Sequence, residues 1–309
     1  MQEMPAKPSI ISRLKLVGLA LTFVVLSVAL RLVLWGALSF LDDKSIVRNT
    51  VTGVLMLGLV IAMTAFVCRR WPAMQRNDWV LLPRASLSSA RLALVGLAAG
   101  GLLFTTVFAL VLTTGGIHLE WRPVGLLSLS GSLLAALVAT VLNAVWEEYT
   151  FRGWSFSGCA KALGAHTTAI GLGAAFGLAH LFNPQWTVAA VVSVALAGFL
   201  LGYSMLASRN ILLPIGLHVG WNFTQSLLTS PRFWETTKHS NHWLSGGEWG
   251  LEGSAAGIAI TALAAAVGLT TFLAANRRAA RTTPVPDAGL FAAALEPVAA
   301  DHVQKNAGS

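Results

Sequence analysis

Five titratable side chains interrupt strongly apolar surroundings: Glu147, Glu148 and Arg152 in VWEEYTFRGW, His180 in FGLAHLF and His218 in GLHVGWNF, the last with Asn222 beside it. A charged group at the centre of a bilayer costs about 2.5–3.5 kcal/mol on insertion scales, so residues of this kind must face one another or a wet cavity. Their chemistry is complementary. A carboxylate can take a proton from water, a neutral imidazole can accept or relay one, and imidazole and amide N–H groups can stabilise an oxyanion. Together these are the means of hydrolysing a peptide bond. Other chemistry fits the same residue types. Glu147, His180 and His218 could hold a catalytic zinc ion, although HExxH is absent and no two histidines lie four apart within a span. A Glu/His relay could serve a proton-coupled transporter, and Asn222 with the Glu148/Arg152 pair could be no more than interhelical glue in a non-enzymatic membrane adaptor.

Helical spacing gathers these groups into stripes. Glu148 and Arg152 are four apart, as are Phe176 and His180, and His218 and Asn222, so each helix presents its polar groups on one face. Glu147 and His180 come level on consecutive antiparallel helices if the chain reverses near Leu163 and Gly164. That requires the helix carrying the glutamates to run well past Glu148 or to bend near Gly153 into an amphipathic segment.

The elements that must hold these stripes are membrane spans. The chain has 309 residues, 55% hydrophobic and only 11% charged, against about a quarter charged in soluble domains. Its apolar stretches run to roughly 18–25 residues, enough to cross a hydrocarbon core. The spacing predicts an all-α, polytopic membrane helical bundle of about eight transmembrane helices, at approximately 16–40, 51–68, 92–114, 126–149, 166–182, 186–206, 209–229 and 254–275. Small-residue pairs at Gly96/Gly100, Gly173/Gly177, Gly198/Gly202 and Gly216/Gly220 favour close helix packing. The first span follows Arg13 and Lys15 and is too long for a cleaved signal, so it reads as retained. Cys68 and Cys159 form neither a CxxC motif nor a plausible disulfide and read as inert helix residues.

Although the net charge is +8, no basic stripe interleaved with aromatics appears, which excludes nucleic acid as a partner and leaves the lipid bilayer. The basic residues sit at span ends instead. Lys7, Arg13 and Lys15 precede the first span, Arg69, Arg70, Arg76, Arg84 and Arg91 follow the second, and Arg277, Arg278 and Arg281 follow the last. With eight spans all three clusters fall on one side, so both termini are expected in the cytoplasm of a multi-pass plasma-membrane protein. The connections 42–50 and 230–253 carry mixed charge, as outer loops do, and Trp234, Trp243 and Trp249 read as interface anchors. Residues 1–15 then form a cytoplasmic N-terminal segment, 16–281 the transmembrane domain, and 282–309, with Pro284, Pro286 and small residues, a disordered cytoplasmic tail.

EEYTFR, FGLAH and HVGWN follow, in order, the EExxxR, FxxxH and HxxxN/B motifs, and through them the chain resembles the CPBP family, the CAAX proteases and bacteriocin-processing or immunity enzymes also called the Abi family. The motifs cover about 140–225, and GGEWGLEG at 246–253 adds a looser likeness. The resemblance implies a glutamate-dependent intramembrane endopeptidase acting on a membrane-associated protein or peptide, with no cofactor. Carried over residue by residue, it makes Glu147 the base, with His180 helping it activate water. His218 and Asn222 become oxyanion partners, while Glu148, with Arg152 in support, holds the site and is itself counted among the catalytic groups.

Overall fold

The computed structural model describes residues 9–41, 46–70 and 86–282. The acidic pair Asp42 and Asp43, the basic residues Lys7, Arg76 and Arg84, and the tail from 283 onward lie outside the described residues. Among the described residues ten α-helices follow in chain order: α1 (Ile10–Ala37), α2 (Ile46–Arg70), α3 (Leu87–Thr113), α4 (Leu126–Arg152), α5 (Trp154–Leu163), α6 (Ala165–Ala179), α7 (Val188–Ser208), α8 (Leu212–Leu228), α9 (His242–Ser245) and α10 (Ala255–Thr282). Two short strands, β1 (Ile117–Trp121) and β2 (Trp234–Lys238), form the one sheet among the described residues.

Six of the helical stretches are long and apolar enough to cross a membrane: α1, α2, α3, α4 with its continuation α5, α7 and α10. The protein is therefore an all-helical, multi-pass membrane protein. The two other expected spans are helices of 15 residues in α6 and 17 residues in α8, short of the roughly 20 that a full crossing takes. Each is bounded by a local break. Helix α6 tightens into a 3-10 turn at His180–Phe182, and α8 starts only after Arg209 has closed α7 in the left-handed conformation (φ +51°).

Close backbone approach welds the bundle. Gly96 and Gly100 of α3 lie against Gly216 and Leu217 of α8, while Gly216 and Gly220 meet the carbonyls of Ala93 and Leu97, leaving no room for a Cβ on either side. On the neighbouring pair, Gly198 of α7 packs on Gly173 of α6, where an added Cβ would stand 2.6 Å from the Gly173 carbonyl oxygen. Such contacts supply the dispersion energy that apolar lipid cannot provide through a hydrophobic effect between helices.

At Gly153 the helix bearing the glutamates breaks, and the chain reverses at Gly164, whose φ of +86° suits glycine. The segment between them, expected as an amphipathic piece, is largely buried. Trp154, Phe156, Cys159, Ala160 and even Ser155 and Ser157 of α5 are buried, and the helix lies against α1. Only Lys161 and Leu163 near its end keep exposed surface, so its polar residues are covered by neighbours and not by solvent.

The β1–β2 pair is the feature least visible in the sequence. The strands run antiparallel with Leu119 opposite Thr236 and Trp121 opposite Trp234, the two indoles meeting edge to face at 5.2 Å between centroids. Arg122 and Glu235 pair across them at 3.3 Å. Two distant connections, α3 to α4 and α8 to α10, are thereby tied into a collar at one end of the bundle.

Candidate active site

Helix α4 delivers both glutamates, and their adjacency sends them in different directions. The Glu148 side chain has no exposed surface. Its Oε1 accepts from Arg152 Nη1 at 3.1 Å, one turn along the same helix, and from His218 Nδ1 of α8 at 2.9 Å. Since a carboxylate can only accept, the imidazole hydrogen stands on Nδ1 in that bond. Arg152 uses a second nitrogen, Nη2, to donate to the carbonyl of Gly198 on α7 at 2.9 Å. One buried acid thus joins α4 to α8 directly and to α7 through its arginine. Its other oxygen, Oε2, is buried without a hydrogen-bond partner, which charges a real desolvation cost against the arrangement.

Glu147 turns the other way, into a cavity of about 710 Å³. Its side chain keeps 15% of its surface exposed, and Oε2 stands 3.7 Å from Nε2 of His218. His180, His218 and Asn222 line the same cavity. His180 sits where α6 gives way to the 3-10 turn, and its Nδ1 donates to the carbonyl of Phe176 at 2.8 Å. A carbonyl only accepts, so the proton is on Nδ1 and Nε2 of the neutral ring is left as an acceptor.

Phe176 is the packing centre of the group. The Arg152 guanidinium lies 4.6 Å from its ring centroid, and the rings of His180 and His218 stand edge-on to it at 4.9 and 5.9 Å. Buried among them, this ring fixes the orientation of both histidines and sheds water from the arginine.

The structure therefore brings Glu147, His180, His218 and Asn222 to one cavity and sets Glu148 and Arg152 beneath it. Among the described residues, no group of three His, Cys, Asp or Glu side chains is arranged to share a metal ion. The cavity opens at the end of the bundle where the strands lie, past Trp35, Asn49, Ser132, Asn183 and Arg232. Arg232 Nη1 donates to Ser132 Oγ at 2.6 Å and braces this rim.

Two residues near the rim have roles that sequence reasoning missed. Glu252 accepts from the indole N–H of Trp221 at 2.7 Å and of Trp249 at 3.2 Å, and the Trp249 ring stands 6.4 Å from His180. Trp249 is thus a wall of the cavity, not the interface anchor that its place in an outer connection predicts; its N–H is satisfied by protein, so nothing draws it to the headgroups. The available signal was GGEWGLEG itself, in which an acid stands three residues after a tryptophan and just ahead of an apolar span.

Residues 129–224 match the family model described as type II CAAX prenyl endopeptidase Rce1-like, a stretch that holds every motif residue above. No curated protein and no solved structure matches the chain.

Proposed function

The chain carries the Rce1-like endopeptidase domain of the CPBP family of CAAX proteases over residues 129–224, and on that premise we propose that it is an intramembrane endopeptidase in which Glu147 is the base. The observation that supports this reading most is the divergence of the two adjacent glutamates, one sealed against Arg152 and His218, the other exposed to a cavity it shares with His180 and Asn222.

In the proposed reaction a water molecule rests between Glu147 and the free Nε2 of His180. Glu147 takes its proton as the water oxygen attacks the peptide carbonyl carbon. The developing oxyanion is met by Nε2–H of His218 and by the Asn222 amide. Collapse of the tetrahedral intermediate breaks the C–N bond, and the proton held by Glu147 goes to the departing amine. With the His218 imidazole protonated, two carboxylates, one guanidinium and one imidazolium sum to zero charge. That balance suits a site enclosed by apolar helices.

All groups needed for this scheme are side chains, so no metal takes part in it. Eight spanning segments, α6 and α8 among them, would place both termini in the cytoplasm of a plasma-membrane protein. The direct test compares membrane-peptide termini in cells bearing the wild-type protein and Glu147→Ala, and repeats the cleavage with purified protein after exhaustive chelation. Products that vanish in the variant and survive chelation support the reading. Products unchanged in the variant would refute the role of Glu147, and activity lost on chelation and restored by zinc would replace the scheme with a metalloprotease.

A further inference from the structure

Resting on the peptidase reading, we propose that the mouth of this cavity faces away from the cytoplasm and that the substrate is an extended segment on the extracytoplasmic side of a membrane-anchored polypeptide.

The two ends of the bundle differ sharply in charge. The end away from the mouth carries Arg13 and Lys15 at the start of α1, Arg69 and Arg70 at the end of α2, Arg91 in the first turns of α3 and Arg277 near the end of α10. Among the described residues no Asp or Glu lies at that end. At the mouth the charges are mixed: Arg31, Arg48, Arg122, Arg232 and Lys238 share that end with Glu120, Glu235, Glu248 and Glu252, Arg122 pairing with Glu235 at 3.3 Å and Lys238 lying 3.7 Å from Glu248. An unopposed cluster of Arg and Lys beside spans marks the cytoplasmic side, and a neutral, mixed surface marks the other.

None of the described basic residues of the far end lines the cavity. Its lining runs from Glu147, Leu201 and Leu217 to Trp35, Asn49 and Asn183 near the ends of α1, α2 and α6 and to Arg232 and Phe233 just ahead of β2. Below Glu147 the buried Glu148–Arg152 pair, Phe151 and α5 fill the space. Among the described residues, the lining thus leads from Glu147 toward the strand-bearing end. Exposed aromatic residues crowd the same end: Trp121 at 56%, Phe182 at 60%, Trp186 at 48% and Trp243 at 61% exposure. Aromatic side chains of this kind settle at the headgroup level, which sets the mouth at the membrane surface, within reach of a chain tethered to the same bilayer. A cavity of about 710 Å³ admits unfolded chain and excludes a folded domain.

Sidedness can be read without any cleavage. In a Cys68→Ala/Cys159→Ala background, Thr236→Cys on β2 and Ser88→Cys in the first turn of α3 are exposed with a membrane-impermeant maleimide in intact spheroplasts and again after permeabilisation. Labelling of Thr236→Cys in intact spheroplasts, with Ser88→Cys labelled only after permeabilisation, is the expected result, and the reverse pattern overturns the proposal. Thr237→Cys serves as a second reporter if Thr236→Cys fails to accumulate. The termini comparison then adds the substrate: Glu147-dependent products should come from extracytoplasmic segments, and products from cytoplasmic segments would overturn the proposal. External labelling with no Glu147-dependent product anywhere would uphold the orientation of the mouth and refute the peptidase reading.

Discussion

His218 and Glu148 meet at 2.9 Å across α8 and α4, on the same carboxylate oxygen that Arg152 reaches at 3.1 Å. The contact couples architecture to chemistry. By holding Nδ1, Glu148 turns Nε2 of His218 toward the cavity, where Glu147 lies 3.7 Å away. A residue with no access to substrate thereby orients one that has it, as outer partners of catalytic imidazoles do elsewhere.

Glu147→Gln removes the proposed base while keeping shape and volume. Cleavage should fall by about 10²–10⁴-fold, the usual worth of a general base. Because the side chain borders a wet cavity and pairs only distantly, the thermal midpoint in detergent should stay near that of the parent. A variant that still cleaves at the parental rate would eliminate Glu147 as base.

Glu148→Gln should do the opposite. It strips the charge that compensates Arg152, whose side chain is 1% exposed, and breaking a buried pair by neutralising one partner costs about 3–5 kcal/mol. Thermal unfolding, or protease sensitivity at increasing temperature, should register a large loss along with lost activity. Equal stability of the two glutamine variants would contradict the separation of roles described above.

Gly198→Val tests the floor of the site from a residue with no side chain. The added methyls would collide with the Gly173 backbone and push α6 from α7. They would also shift the carbonyl that accepts from Arg152. Overpacking of about 1–3 kcal/mol is expected, with activity falling further than stability because the arginine loses its alignment. Parental kinetics in this variant would show that the Gly198 carbonyl does not set the arginine.

Glu252→Ala leaves the indole N–H groups of the half-buried Trp221 and Trp249 without their acceptor, a loss of about 0.5–1.5 kcal/mol per hydrogen bond. Since Trp249 walls the cavity, the apparent KM for a peptide substrate should rise more than kcat falls. Kinetics that show kcat alone affected would argue for a part in the chemistry instead.

The convergence of the polar stripes on one cavity was legible in the sequence because ionisable residues are costly in apolar helices and seldom occur there without purpose. The reversal at Gly164 was legible too, as glycine is the residue that accepts a positive φ cheaply. Helix α5 was not. Its apolar and small residues suit an amphipathic surface segment until one sees α1 lying over it, and enclosure by neighbours leaves no trace in periodicity. The strand pair escaped for a related reason. WETTK has no alternation of apolar and polar residues to announce a strand, and its pairing partner lies more than a hundred residues away. Trp249 was misassigned because a tryptophan at a span end suits an interface equally well until its N–H is found bonded to Glu252. What pattern reading misses in each case is a contact made by residues far apart along the chain.

The collar of β1 and β2 has a consequence for selectivity. Two connections laced together by backbone hydrogen bonds stiffen the approach to the cavity, and a stiff approach would read compactness before it reads sequence. A segment that stays folded at the bilayer surface would not reach Glu147, whereas one that frays would present its backbone. The protease would then discriminate among neighbours by their local unfolding free energy, trimming whatever has failed to fold or assemble and sparing the same residues once they are packed.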